Sequence, residues 1–173
     1  NEEKPHKHRT EREYLTIDEL RKLAQTPFYN GLLKKAFLFS CFCGLRHSDI
    51  IALTWGDIEM DDDGNSRLYI IQKKTKEAIS LPLSQEAIKQ LPKREDAKED
   101  DIIFKKLITL GRTNEILPKW AEQAGIKKHI TFHTARHTHA TMLLTLGVDL
   151  YTVSKLLGHT IIQTTQIYAK LVD

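Results

Sequence analysis

Apolar and polar positions change their spacing along the chain, and each change marks an element. Residues 1–13 carry charge without a periodic apolar pattern and read as the end of a linker. Thr16 with Glu19 three positions on forms a capping box, which predicts a helix to about Gln25, stopped by Pro27. The stretch from about Gly31 to Cys43 is apolar on most sides, which predicts a central, buried helix. Gly44 is placed to be its left-handed C-terminal residue. Ser48 is placed to open a short helix, with Arg46 in the connecting turn. The period then switches. Beyond an Asp-rich turn ending at Gly64-Asn65, Leu68 to Gln72 is rich in β formers, and Ala78 to Leu83 alternates apolar with polar. The basic connector Lys73 to Glu77 lies between them, so a hairpin with lysines at its tip is predicted. Ser84 is placed to cap a helix to about Leu91, and a charged loop follows over 92–101. A longer helix is predicted over Asn114–Ala124, with Gly125 as its stop and Pro118 an objection to its first turn. Three more helices are predicted: Thr134–Leu146, Leu150–Leu157 and Ile162 to about Lys170, with Gly147 and Gly158 ending the first two. The predicted fold class is α+β, mainly helical, with one small antiparallel β-sheet.

Composition narrows the classes. The 173 residues suit one ordinary domain, and 40% hydrophobic with 28% charged residues argues against global disorder. No run approaches the roughly 18 to 20 apolar residues of a membrane span. The opening NEEKPHKHRTERE lacks the apolar core of a signal peptide. Cys41 and Cys43 lie in the apolar run and read as buried reduced thiols, which suits a cytoplasmic protein. The net charge of +3 permits nucleic-acid binding without arguing for it, because clustering is what matters. Most of the eight histidines fall between His129 and His159, the first hint of a site.

Four groups of residues could carry chemistry. His133, Arg136 and His137 share a face near a helix N-terminus, where an anion such as phosphate is favoured. Solvated or backbone-bonded histidines explain them equally well. Arg46, just past the Gly44 turn, could match phosphate oxygens bidentately, with Asp49 fixing its orientation. An ordinary local Arg–Asp pair is the plainer alternative. Lys73, Lys74 and Lys76 at a hairpin tip could reach DNA or donate a proton, or simply be solvated. Tyr168 could be a nucleophile if its phenol is activated, or a core residue of an apolar helix.

Taken in order, these features are more specific than any one alone. GLRxSDI, Lys-Thr in a β-hairpin, HxxRH followed by Thr138 and Ala140, LGH, and then Tyr168 resemble the catalytic domain of the tyrosine recombinases, the phage integrase family. The resemblance covers about residues 14 to 170, and its wording is similar to integrases of mobile elements from the Bacteroides group. It implies the DNA breaking-rejoining catalytic fold over 14–173, with residues 1–13 leading from an absent N-terminal DNA-binding domain. It further implies that Arg46, His133, Arg136 and His159 clamp the scissile phosphate and that Asp49 supports them. Lys74 is the best match to the hairpin lysine, which protonates the leaving oxygen, because Thr75 follows it. Lys73 and Lys76 are rival alignments and DNA contacts. Tyr168 matches the nucleophile that forms a 3′-phosphotyrosyl link. The resemblance implies double-stranded DNA as partner, a tetramer on DNA for the full-length protein, a bacterial cytoplasmic location, and no metal or other cofactor.

Three other readings compete. His129, His133 and His137 recur at every fourth position, a zinc-ligand spacing, but no HExxH glutamate accompanies them and Arg136 lies among them. The helices at 134–146 and 150–157 could form a helix-turn-helix in a non-catalytic DNA-binding domain. A type IB topoisomerase would use the same chemistry.

Overall fold

The computed structural model describes residues 13–159 and 162–172. Most of the expected linker, 1–13, therefore lies outside the described residues. Helix α1 (Ile17–Gln25) opens on the full Thr16–Glu19 capping box. Helix α2 (Gly31–Cys43) ends at Gly44 with φ 77°. The short α3 (His47–Ile50) takes Arg46, not Ser48, as its N-cap. The short strand β1 (Ile58–Met60) pairs antiparallel with β2 (Ser66–Ile71), which pairs antiparallel with β3 (Ala78–Pro82). Then follow α4 (Gln85–Lys89), capped by Ser84, α5 (Leu110–Gln123), α6 (Phe132–Thr145), α7 (Leu150–Leu156) and α8 (Gln163–Val172). The α+β class, mainly helical with one small antiparallel sheet, is the class observed.

Two further features differ from the sequence reading, for identifiable reasons. Helix α5 begins at Leu110, capped by the Thr109 hydroxyl, and Pro118 lies in its interior rather than its first turn. Its buried face is Thr113, Ile116, Leu117, Trp120 and Ala121, a regular helical stripe whose first member is a threonine. Counting Thr113 as polar hides the stripe's beginning. Strand β1 was not foreseen, because three residues are too few to show alternation; it exists through its ladder to Ser66–Leu68.

The core forms around α2. Leu33, Ala36, Phe37, Leu38, Phe39, Cys41 and Cys43 are all buried, as an all-round apolar helix requires. Trp120 stacks on Phe28 with ring centroids 5.0 Å apart and meets Phe37 edge-on at 5.8 Å, while its indole N–H donates to the Thr26 carbonyl. The sheet adds Leu68, Ile79 and Leu81 from its inner face. A second, smaller core holds Ala140, Val153, Leu157 and Tyr168, between α6, α7 and α8. Among the described residues, no helix is long and apolar enough to cross a membrane.

Candidate active site

Helix α6 is unusual in burying polar side chains: Thr134, Arg136, His137, Thr138, His139 and Thr141. Buried polar groups are costly unless paired, and these are. Thr138 and Thr141 bond back to carbonyls one turn earlier, Thr134 and His137. Arg136 is 2% exposed, and it donates from Nη1 to the Gly44 carbonyl and from Nη2 to the Leu157 carbonyl, both at 2.8 Å. Those carbonyls lie at the C-terminal ends of α2 and α7, where unsatisfied oxygens and the negative end of the helix dipole favour a cation. One guanidinium thus ties three helices together. Burial, and then the nearby Arg46 guanidinium, push its pKa down to about 10, against the pull of Tyr168, Asp49 and Cys43. It stays cationic at neutral pH.

Arg46 sits where the chain leaves the Gly44 turn. Its Nε and Nη1 are buried and meet no hydrogen-bond acceptor among the described residues. The pairing of Arg46 with Asp49 expected from their spacing does not form. The Asp49 carboxylate is 3% exposed, and its Oδ1 instead accepts the Lys73 backbone N–H at 2.8 Å. Asp49 therefore holds the lysine turn rather than the arginine. Lys73, Lys74 and Lys76 are all exposed at that turn, and Lys76 has φ 60°.

His159 follows Gly158 at the end of α7. Its Nε2 lies 3.4 Å from Arg136 Nη2, and its Nδ1 meets Thr165 Oγ1 on α8 at 2.5 Å. Tyr168 is 2% exposed, with its hydroxyl 2.8 Å from His137 Nδ1. The ring of His137 in turn meets that of exposed His133 edge-on, centroids 4.6 Å apart. His129 precedes α6, so it does not continue the helical face that a zinc-ligand spacing would need; among the described residues no three His, Cys, Asp or Glu gather as a metal site.

The structure thus links Arg46, Arg136, His159, Tyr168 and, through His137, His133, with the lysine turn attached at Asp49. Two participants are not marked by any local signal in the sequence. One is Thr165, the partner of His159 Nδ1, and the other is Gln72, whose side chain bonds the Thr75 hydroxyl and the Leu157 carbonyl. His137 shares the predicted anion-favouring face with His133 and Arg136; its partner is the Tyr168 hydroxyl, a contact between helices that sequence spacing does not show. Chemically, Arg136 is a fixed cation near the Arg46 guanidinium and the Tyr168 phenol, and among the described residues no carboxylate is paired to Arg46.

Comparison with known proteins agrees with this architecture. The sequence profile of the phage integrase family matches residues 13–173. The tyrosine recombinase XerC of Chlamydia caviae is 33% identical over 89% of this chain and 53% of its own length. The tyrosine recombinase XerD of Listeria monocytogenes is 34% identical over 89% of this chain and 56% of its own. The chain spans about half the length of these curated relatives. In fold it is similar to XerA recombinase, with a TM-score of 0.73 and 22% identity over 90% of this chain and 58% of that one. It is likewise similar to the XerH site-specific recombinase bound to its difH substrate, with a TM-score of 0.72 and 18% identity over 94% of this chain and 50% of that one. The expected recombinase catalytic fold is therefore the fold observed, and with its profile covering nearly the whole chain, this protein belongs to the phage integrase family.

Proposed function

We propose that this chain is the catalytic part of a tyrosine-type site-specific recombinase or integrase, which cuts and rejoins double-stranded DNA through a 3′-phosphotyrosyl intermediate. The observation that carries the reading is the Arg46–Arg136 pair, one guanidinium anchored on two helix ends and the other with buried donors that meet no acceptor among the described residues. Such a pair suits a phosphodiester, whose non-bridging oxygens gather charge under attack. Two of the XerC and XerD relatives and the DNA-bound XerH support the same reading.

In this mechanism Arg46, Arg136, His133 and His159 hold the scissile phosphate. Tyr168 Oη attacks phosphorus, and the bond to the 5′ oxygen breaks. The phenolic proton passes to a neighbouring base; His137 Nδ1, at 2.8 Å, is the hydrogen-bonded partner. Lys74 protonates the departing 5′ oxygen, with Lys73 and Lys76 contacting DNA beside it and Asp49 supporting the turn. The phosphotyrosyl bond conserves the energy of the broken one, so another strand's 5′ hydroxyl can reverse the step. The chemistry needs no ATP. The further parts of the proposal are a linker at residues 1–13 that joins an N-terminal DNA-binding domain to a catalytic domain at 14–173, a tetramer on DNA for the full-length protein, and a bacterial cytoplasmic location.

The test is covalent trapping from a pool of random-sequence duplexes, each carrying a nick that lets the cut strand's end diffuse away. The chain is expected to yield SDS-resistant protein–DNA adducts, whose sequencing identifies the cleaved site. Tyr168→Phe should bind the duplex and give no adduct. Adducts from that variant would remove Tyr168 from its role. Arg46→Ala or Arg136→Ala should slow adduct formation by roughly 10²–10³-fold, the usual effect of losing a preorganised donor.

A further inference from the structure

Gln72, the residue after β2, is entirely buried. A buried amide is tolerated when both of its ends are paired, and the pairing here has a direction. Its Oε1 accepts the Thr75 hydroxyl at 2.9 Å, within the lysine turn. Its Nε2 donates to the Leu157 carbonyl at 3.1 Å, outside the hairpin. That carbonyl is the one that also accepts Arg136 Nη2. The main chain closes the turn around the same residue, with Gln72 N–H donating to Glu77 and Lys76 N–H donating to Gln72. Space is made for the amide by Gly158, where an added Cβ would stand 2.5 Å from Gln72 Oε1.

We propose that Gln72 is a positioning residue that hooks the lysine turn to the carbonyl anchoring Arg136, and so holds Lys74 in register with the guanidinium pair. The proposal rests on the reading of Lys74 as the proton donor. A lysine side chain is flexible, so its reach is set by the backbone that carries it. Asp49 holds that backbone on the Arg46 side, through Lys73 N–H. Gln72 holds it on the Arg136 and His159 side. A proton donor must come within hydrogen-bond reach of the leaving oxygen, and a displacement of about 1 Å costs on the order of 10²-fold in rate.

The test uses the duplex recovered by trapping, made in two forms: one natural, one with sulfur replacing the 5′-bridging oxygen. A thiolate leaves without being protonated, so the sulfur form does not need a proton donor. Gln72→Leu should slow cleavage of the natural duplex by roughly 10- to 100-fold and cleave the sulfur duplex at close to the unsubstituted rate. Lys74→Ala should behave alike with a larger loss, roughly 10²–10⁴-fold. Thr75→Val, at an exposed position, loses one bond of the hook and carries the same test in a chain whose core is untouched. Equal slowing of Gln72→Leu and Thr75→Val on both duplexes overturns the proposal. Failure of sulfur to rescue Lys74→Ala overturns it as well, by removing its proton donor. If the unsubstituted chain forms no adduct, the phosphotyrosyl reading falls, and amide hydrogen exchange then decides the hook. Faster exchange at Lys73 and Lys76 in either variant, with α2 unchanged, supports it; unchanged exchange at those amides overturns it.

Discussion

His139 is where acid should reach the folded state. Its ring is buried, with Nδ1 3.1 Å from the Cys41 carbonyl, and burial, with the Arg136 charge acting in the same direction, pushes its pKa from 6.5 down to about 4. The unfolded chain therefore takes up a proton that the folded chain refuses. Stability is full above pH 6.5 and is lost as the pH falls from there towards 4, by about 3 kcal/mol at most. Urea unfolding of His139→Gln on both sides of pH 6.5 should show a shallower pH slope than the unsubstituted chain. An unchanged slope would move the effect to other groups, the half-buried His47 among them, whose pKa is also lowered by burial. Tyr168 offers a second residue-level test. It is 2% exposed, whereas Tyr29 and Tyr151 are 75% and 62% exposed. Tetranitromethane should nitrate the latter two and spare Tyr168, as peptide mass mapping would show.

At the scale of elements, the site depends on helix ends that stop in the right places. Gly44 and Gly158 end α2 and α7 in left-handed conformations, φ 77° and 71°, and both lie against site residues. A Cβ on Gly44 would stand 2.7 Å from His139 Cδ2. Gly44→Ala should therefore combine backbone strain with overpacking, and lower stability by about 2 kcal/mol or more, read as a drop in Tm. Both glycines were legible as stops in the sequence, as were α1 with its capping box, α2 as a buried helix and the hairpin with its lysine tip. What was not legible is what the stops are for. That Arg136 bonds the Gly44 and Leu157 carbonyls joins residues distant in sequence, and no periodicity carries that information. The same holds for Asp49, whose spacing suggested Arg46 and whose carboxylate is instead taken by Lys73 N–H. Local signals name the elements and many of the chemically capable side chains. Partners across elements come from packing, and they decide which capable side chain does what.

At the scale of the molecule, the larger core, built around α2, carries most of the buried apolar side chains. Trp120 is fully buried between Phe28 and Phe37, so Trp120→Ala should cost roughly 3–5 kcal/mol. That is a large share of the about 5–15 kcal/mol available to a typical domain, and a lower midpoint in denaturant would show it. Binding to DNA, on the proposed function, should weaken steeply with salt, because phosphate contacts release counterions; a titration at rising salt that left affinity unchanged would contradict it. The core also has a practical consequence. Cys41 and Cys43, the two cysteines of the chain, are free and buried within α2, and burial raises both thiols, Cys43 to about 12 and Cys41 well above its ordinary value. Alkylating reagents act on thiolates, so the natural pair should be silent to maleimides. A single cysteine introduced at Met60 or Tyr151, both well exposed, would then be the one position to accept a fluorophore. The native protein thus comes prepared for single-site dye labelling, with no need to strip out its own sulfur first.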